Sequence, residues 1–186
     1  TGLGFPVPRL IAFLHMRRRC FMGADLRDRS ELLAFLRGLD QSVFGKPVDS
    51  RWSLGAISID GYDGADDSLR MLGGASHPVE DVADQVMTYG AQGYLFQERL
   101  APNPEIARVC GPAIGTVRLL TAMTAQGPEL VDSAWKIVGG GNVADNFWRR
   151  GNLLAQVDAE SGTVQRVASG IAHDNRTHDS HPDTGE

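Results

Sequence analysis

The chain has 186 residues, 42% hydrophobic and 22% charged, which suits one domain with a sizeable core or two small lobes. Its formal net charge of −5 leaves no general basic face, so nucleic acid is excluded as a first-choice partner. The two cysteines, Cys20 and Cys110, lie far apart without a CxxC pair, which argues against a disulfide framework or a cysteine zinc site and for a reducing, cytoplasmic setting.

In chain order, VPRLIAFL (7–14) reads as a strand. Its apolar run, LIAFL, falls far short of the ~20 residues of a membrane span. The basic triplet Arg17-Arg18-Arg19 reads as a solvated edge. DRSELLAFLRG (28–38) is a helix with Asp28 as N-cap, Glu31 at the capping-box position and Gly38 after its end. Two strands follow, at about 42–48 and 54–60, around the polar loop DSRWSLG. HPVEDVADQVMTYG (77–90) is the clearest helix: Pro78 starts it, apolar residues recur at helical spacing, and Gly90 ends it. GYLFQERL (93–100) is a strand, and NPEIARVC (103–110) a short helix capped by Asn103.

The second half is mostly β. TVRLLTAMT (116–124) and ELVDSAWKIV (129–138) form one hairpin, NLLAQVD (152–158) and TVQRVAS (163–169) another. Between them lies GGGNVADNFWRRG (139–151), too long for a plain connection and therefore a candidate functional loop. The order of elements predicts an α+β protein with largely antiparallel sheets. The chain begins without Met, and its last residues, THDSHPDTGE, lack an obvious final element. An unstructured end and a piece of a longer protein are expected. A metal site among His173, His178 and His181 is the minority reading, because their spacing fits no tetrahedral pattern.

Only Lys46 and Lys136 among the 18 basic residues are lysine. Where arginine serves almost everywhere, a retained lysine suggests a need for a compact ammonium. Strand alternation places Lys46 between Phe44 and Val48, suggesting a lysine that reaches across an apolar surface to a fixed anion. The competing reading is a plain hairpin whose lysine snorkels to water. Ser53, the backbone amides around it and Gly55 would then let the loop approach phosphates. Lys136 shares its face with Ala134 and Val138. Arg118, with Leu120 and Ala122 on its face, is an inward candidate whose fork suits a carboxylate or phosphate; the competing reading is a buried ion pair or an exposed charge on a one-sided sheet. Asp145 and Asn146 suit either a metal or phosphate site or a turn.

The segments VFGKPVDSRWSLGAISI, GYLFQERL, GTVRLLT, SAWKIVGGGNVADNFWRRGNLLAQVDAESG and HPDTG, taken in order, resemble the ATP-grasp group associated with sugar transfer, also described as α-L-glutamate-ligase-like. The resemblance implies an ATP-grasp fold: a lid lobe over 1–95, the start of a second lobe over 96–186, and ATP between them. It implies that Lys46 touches the α- and β-phosphates, and that Ser53 and Gly55 belong to the closing loop. Gln97 to Leu100, including Glu98, would form the hinge that meets adenine. Arg118 and Lys136 would neutralise the γ-phosphate and acyl-phosphate, with Asn146 near the phosphates or the acceptor.

The implied reaction is ATP-dependent ligation of a carboxylate-bearing small molecule or saccharide to an amine or similar nucleophile, in cell-surface polysaccharide biosynthesis. The alternatives are a non-catalytic nucleotide- or saccharide-binding module and another ATP-dependent phosphoryl transferase. Mg2+ is implied as cofactor, with its ligands expected beyond Glu186. SRWSLG is less glycine-rich than the common ATP-grasp loops.

Overall fold

The computed structural model describes residues 4–147 and 149–186. The chain forms two compact units that divide between Leu100 and Ala101.

The first unit is a seven-stranded sheet with two helices on one face. Its strands are β1 (Leu10–Leu14), β2 (Ala24–Leu26), β3 (Val43–Pro47), β4 (Ile57–Asp63), β5 (Ser68–Met71), β6 (Ser76–Pro78) and β7 (Tyr94–Glu98). They stand in the order β2-β1-β7-β3-β4-β5-β6. The β1–β2 pair is parallel and the remaining pairs antiparallel. The helices are α1 (Arg29–Arg37) and α2 (Val79–Met87). Leu32, Leu33 and Leu36 of α1 and Val79, Val82, Ala83 and Val86 of α2 bury against Val43, Ile59, Leu69, Tyr94 and Phe96 of the sheet. This apolar seam is what holds two nine-residue helices that would be marginal alone.

Local signals set the helix starts. Asp28 accepts the Glu31 amide at 2.9 Å, while the Glu31 carboxylate reaches back to the Arg27 amide, one residue beyond the position of a standard capping box. Pro78 is the last residue of β6 and the N-cap of α2, so the helix begins one residue later than the sequence suggests. It ends at Met87, before Gly90.

Asp67, in the β4–β5 turn, takes two hydrogen bonds from Arg37 (2.9 and 2.7 Å) and one from Tyr62 (2.8 Å). These bonds hold its carboxyl down to about 2, below the ordinary 3.8. Its contribution to stability is therefore complete above pH 3.8 and disappears as pH falls towards 2. Acid titrations of wild type and Asp67→Asn should converge within that window. A stability gap that persists unchanged at pH 2 would show that the carboxylate's charge is not what Arg37 recognises.

The second unit is a five-stranded antiparallel sheet with one helix. After α3 (Pro104–Cys110) come β8 (Thr116–Thr124), β9 (Gly127–Ile137), β10 (Leu153–Val157), β11 (Val164–Ser169) and β12 (Arg176–His178), in the order β12-β11-β10-β9-β8. Asn103 caps α3 through the Glu105 amide at 2.9 Å. A small core of Cys110, Ile137, Leu153 and Ala155, flanked by Val109, Trp135 and Val167, joins α3 to one face of the sheet.

Several expectations change. Residues 51–55 form a turn, so β4 starts at Ile57 and runs on to Asp63. Strands β2, β5, β6 and β12 carry no strong period-2 signal and exist through pairing. The tail is structured: β12 pairs with β11, and His178 bonds Ser169 Oγ at 2.7 Å. Of the readings of Arg118, the exposed charge holds. It sits on β8, an edge strand, and is exposed.

Candidate functional site

In the first unit, residues that pair directly across strands share a face. Phe44 pairs with Ser58 and Gln97, and Lys46 with Leu95. Phe44, Lys46, Ser58, Leu95 and Gln97 therefore line the face opposite the helices. Lys46 is exposed there and makes no ion pair among the described residues. Its neighbour Val48 is exposed too, so the lysine stands on an open face instead of crossing a covered one. Strand β3 is paired on both sides, which fixes the base of that side chain. Ser58 Oγ is buried on this face without a hydrogen-bond partner.

The loop after β3 is wound tightly. Trp52 and Ser53, neither of them glycine, both adopt positive φ (58° and 56°), and Gly55 follows at 76°. The bonds Leu54 N–H to Arg51 O and Ala56 N–H to Ser53 O close the turns. Gly55 is seated on the fold: a β-carbon there would lie 2.6 Å from the Tyr89 ring, and its carbonyl accepts the Tyr94 hydroxyl at 2.6 Å. Its bareness thus serves packing beneath Tyr89. Gly55→Ala should destabilise the first unit by about 2 kcal/mol or more, through overpacking and the positive φ together. An unchanged denaturation midpoint would show that Tyr89 swings away freely.

Gln97 and Glu98 end β7. The Glu98 amide donates to Arg9 O at 2.9 Å and its carboxylate faces Arg9 at 3.6 Å. Leu100 is exposed at the end of the first unit.

In the second unit, Thr116 pairs with Lys136 and Arg118 with Ala134. All four lie on the sheet face opposite α3, with Arg118 and Lys136 as diagonal neighbours. Lys136 is largely buried. Its ammonium donates to Asp145 Oδ1 at 3.2 Å, and Thr116 Oγ1 donates to Asp145 Oδ2. Both carboxylate oxygens are thereby engaged within the unit.

Asp145 reaches Lys136 because the 139–151 loop is organised from within. Asn152, fully buried, is the centre. Its Oδ1 accepts from the Gly139 amide (3.1 Å) and Asn142 Nδ2 (3.0 Å), and its Nδ2 donates to Ala144 O and Asn146 O (2.7 Å each). The sequence places Asn152 at the head of a strand. Instead β10 begins at Leu153, and the Asn152 side chain serves the loop.

The glycines form the loop's neck. A β-carbon on Gly139 would stand 2.5 Å from Gly151 O, and one on Gly151 2.8 Å from Gly140 Cα. The HPDTG segment braces this neck: Asp183 Oδ2 accepts the Gly140 amide at 2.7 Å, and Thr184 Oγ1 donates to Val109 O at 2.6 Å. Buried His181 takes the Asp183 amide on Nδ1, leaving Nε2 towards Val138 O. His173, His178 and His181 thus have separate surroundings. No group of three or more metal-ligating side chains occurs among the described residues. Sequence reasoning does not reach Asn152, Thr116 or Asp183, because the sequence shows neither the burial of Asn152 nor the partners of all three.

No helix is long and apolar enough to cross a membrane among the described residues. No curated protein and no solved structure matches the chain. The family model described as sugar-transfer associated ATP-grasp matches residues 2–186, nearly the whole sequence. With two α+β units of mainly antiparallel strands and cations on an open sheet face of each, that match shows that the chain belongs to the sugar-transfer associated ATP-grasp family.

Proposed function

We propose that the chain uses ATP to activate a carboxylate as an acyl-phosphate, which an amine or similar nucleophile then attacks. The carboxylate belongs to a small molecule or saccharide of cell-surface polysaccharide synthesis, and the reaction is cytoplasmic. Family membership supports the general part, an ATP-dependent, ligase-like role. The observation that carries the finer reading is the cationic pair Arg118 and Lys136 on one sheet face.

The division of labour follows from charge. Lys46 binds the α- and β-phosphates from the open face of the first unit, while Ser53 and Gly55 shape the adjoining loop. Gln97, Glu98 and Leu100 supply the adenine contacts. Arg118 holds the transferring phosphoryl group with its planar fork, and Lys136 neutralises charge on that group as it develops. Asn146 sits near the phosphates or the acceptor. The chemistry needs positioning and charge neutralisation more than proton transfer. ATP-grasp proteins generally bind ATP with Mg2+. Among the described residues no group of three or more His, Cys, Asp or Glu side chains is placed to hold that ion.

An isotope experiment tests the reading. With carboxylates labelled in both oxygens and a panel of amines, ATP turnover should release phosphate carrying one labelled oxygen. ATP binding without label transfer, across a panel of amino acids and uronic acids, would favour a nucleotide-binding module instead.

A further inference from the structure

We propose that Asp145 is a positioning residue. Its carboxylate, delivered by the 139–151 loop, holds the Lys136 ammonium at a fixed point on the sheet. This deepens the phosphate role given above to Lys136 and rests on that reading for its catalytic consequence.

A lysine side chain has four rotatable bonds and considerable rotamer freedom. Free on a sheet face, its ammonium would sweep a wide arc, and aligning it during phosphoryl transfer would cost that freedom. Here the arc is closed. Lys136 and Asp145 are 19% and 16% exposed, unlike ordinary surface pairs that contribute little. Asp145 is itself held on its second oxygen by Thr116, the residue directly across the ladder from Lys136.

The far end of this arrangement is also fixed. Asn152 binds the carbonyls on either side of Asp145, those of Ala144 and Asn146. The backbone that carries the carboxylate is thus clamped within one residue in both directions. The sequence of dependence runs from Asn152 to the loop, from the loop to Asp145, and from Asp145 to Lys136. An electrostatic site works best when its charges are in place before the reaction starts, and this arrangement provides that.

The lysine count gives a clean test. With only Lys46 and Lys136 in the chain, a water-soluble amine-reactive ester followed by digestion and mass spectrometry reads each separately. Exposed Lys46 serves as the internal reference. Lys136, paired and shielded, should label more slowly. Asp145→Asn should raise the Lys136-to-Lys46 labelling ratio roughly tenfold, the scale of one hydrogen bond to a charged group. Thr116→Val should raise it less, because the carboxylate remains.

Amide exchange at Gly139 should stay slow in both variants. A merely structural role for Asp145 would free the amide together with the lysine. An unchanged labelling ratio in both variants, or a rise accompanied by a freed loop, would overturn the proposal. ATP added to the wild type separates the two readings. Protection of Lys136 by ATP supports its phosphate role. In this arm Lys136 is read against an added reference peptide, because Lys46 is itself assigned to the phosphates; a Lys136 rate that responds to Asp145→Asn but not to ATP keeps the positioning role and removes the phosphate role.

Discussion

Lys46→Ala is expected to weaken ATP binding by roughly 10- to 100-fold, the range for losing hydrogen bonds to a charged group. Thermal stability should hardly change. The ammonium is exposed, makes no ion pair among the described residues and covers no core. Its Cα is nonetheless fixed, because β3 lies between β4 and β7 and is bonded to both. A charge with a fixed base and no ion-pair partner among the described residues is available to an anionic ligand. Lys46→Arg should recover part of the affinity, since it restores charge but substitutes a planar fork for a compact ammonium. Titration calorimetry with ATP and with ADP gives both the loss and its dependence on the phosphate chain. Affinity equal to wild type in Lys46→Ala would remove this residue from the site.

Asn152→Ala is the larger structural lesion. It should lower the stability of the second unit by roughly 3 kcal/mol or more, since several buried polar groups lose a partner at once. The Gly139 amide and the carbonyls of Ala144 and Asn146 would each have to find water or reorganise. Asn152→Asp is the informative companion. It keeps an acceptor for the Gly139 amide but can no longer donate to the two carbonyls. Denaturation followed by tryptophan fluorescence, with amide exchange along 139–151, should place both variants well below wild type, because Asp leaves a buried carboxylate against two carbonyl oxygens. Wild-type stability in Asn152→Ala would mean that the loop is held by its neck alone.

These two residues also mark what the sequence makes legible. Helices α1 and α2 and both hairpins of the second unit carry their signals within a few residues: a cap, a period, a turn. They can be read locally, and so can the α+β class. Strands β2, β5 and β6 are three or four residues long and form because a neighbouring edge is waiting for them. Arg118 illustrates a different gap. Its flanking leucine and alanine suggest burial, but β8 is an edge strand, and an edge leaves even apolar residues such as Leu119 and Leu120 exposed. Lys136 was legible as a candidate and its partner was not, because Asp145 joins it through a loop whose path depends on Asn152. A buried asparagine has no sequence signature apart from the contacts that satisfy it.

The glycine neck has a consequence for how this family member can vary. Gly139, Gly140 and Gly151 bring the two ends of a long connection into backbone contact, so the loop behaves as a closed ring mounted on the sheet. The three glycines act as a covalent cross-link would, by keeping the two ends together. Asn142 adds a polar tie to the same neck, its Nδ2 donating to Gly139 O, Arg150 O and Asn152 Oδ1. Any side chain at the neck forces the ring open. The ring is therefore a rigid mount: whatever opens its neck also displaces the backbone that carries Asp145, and with it the partner of Lys136.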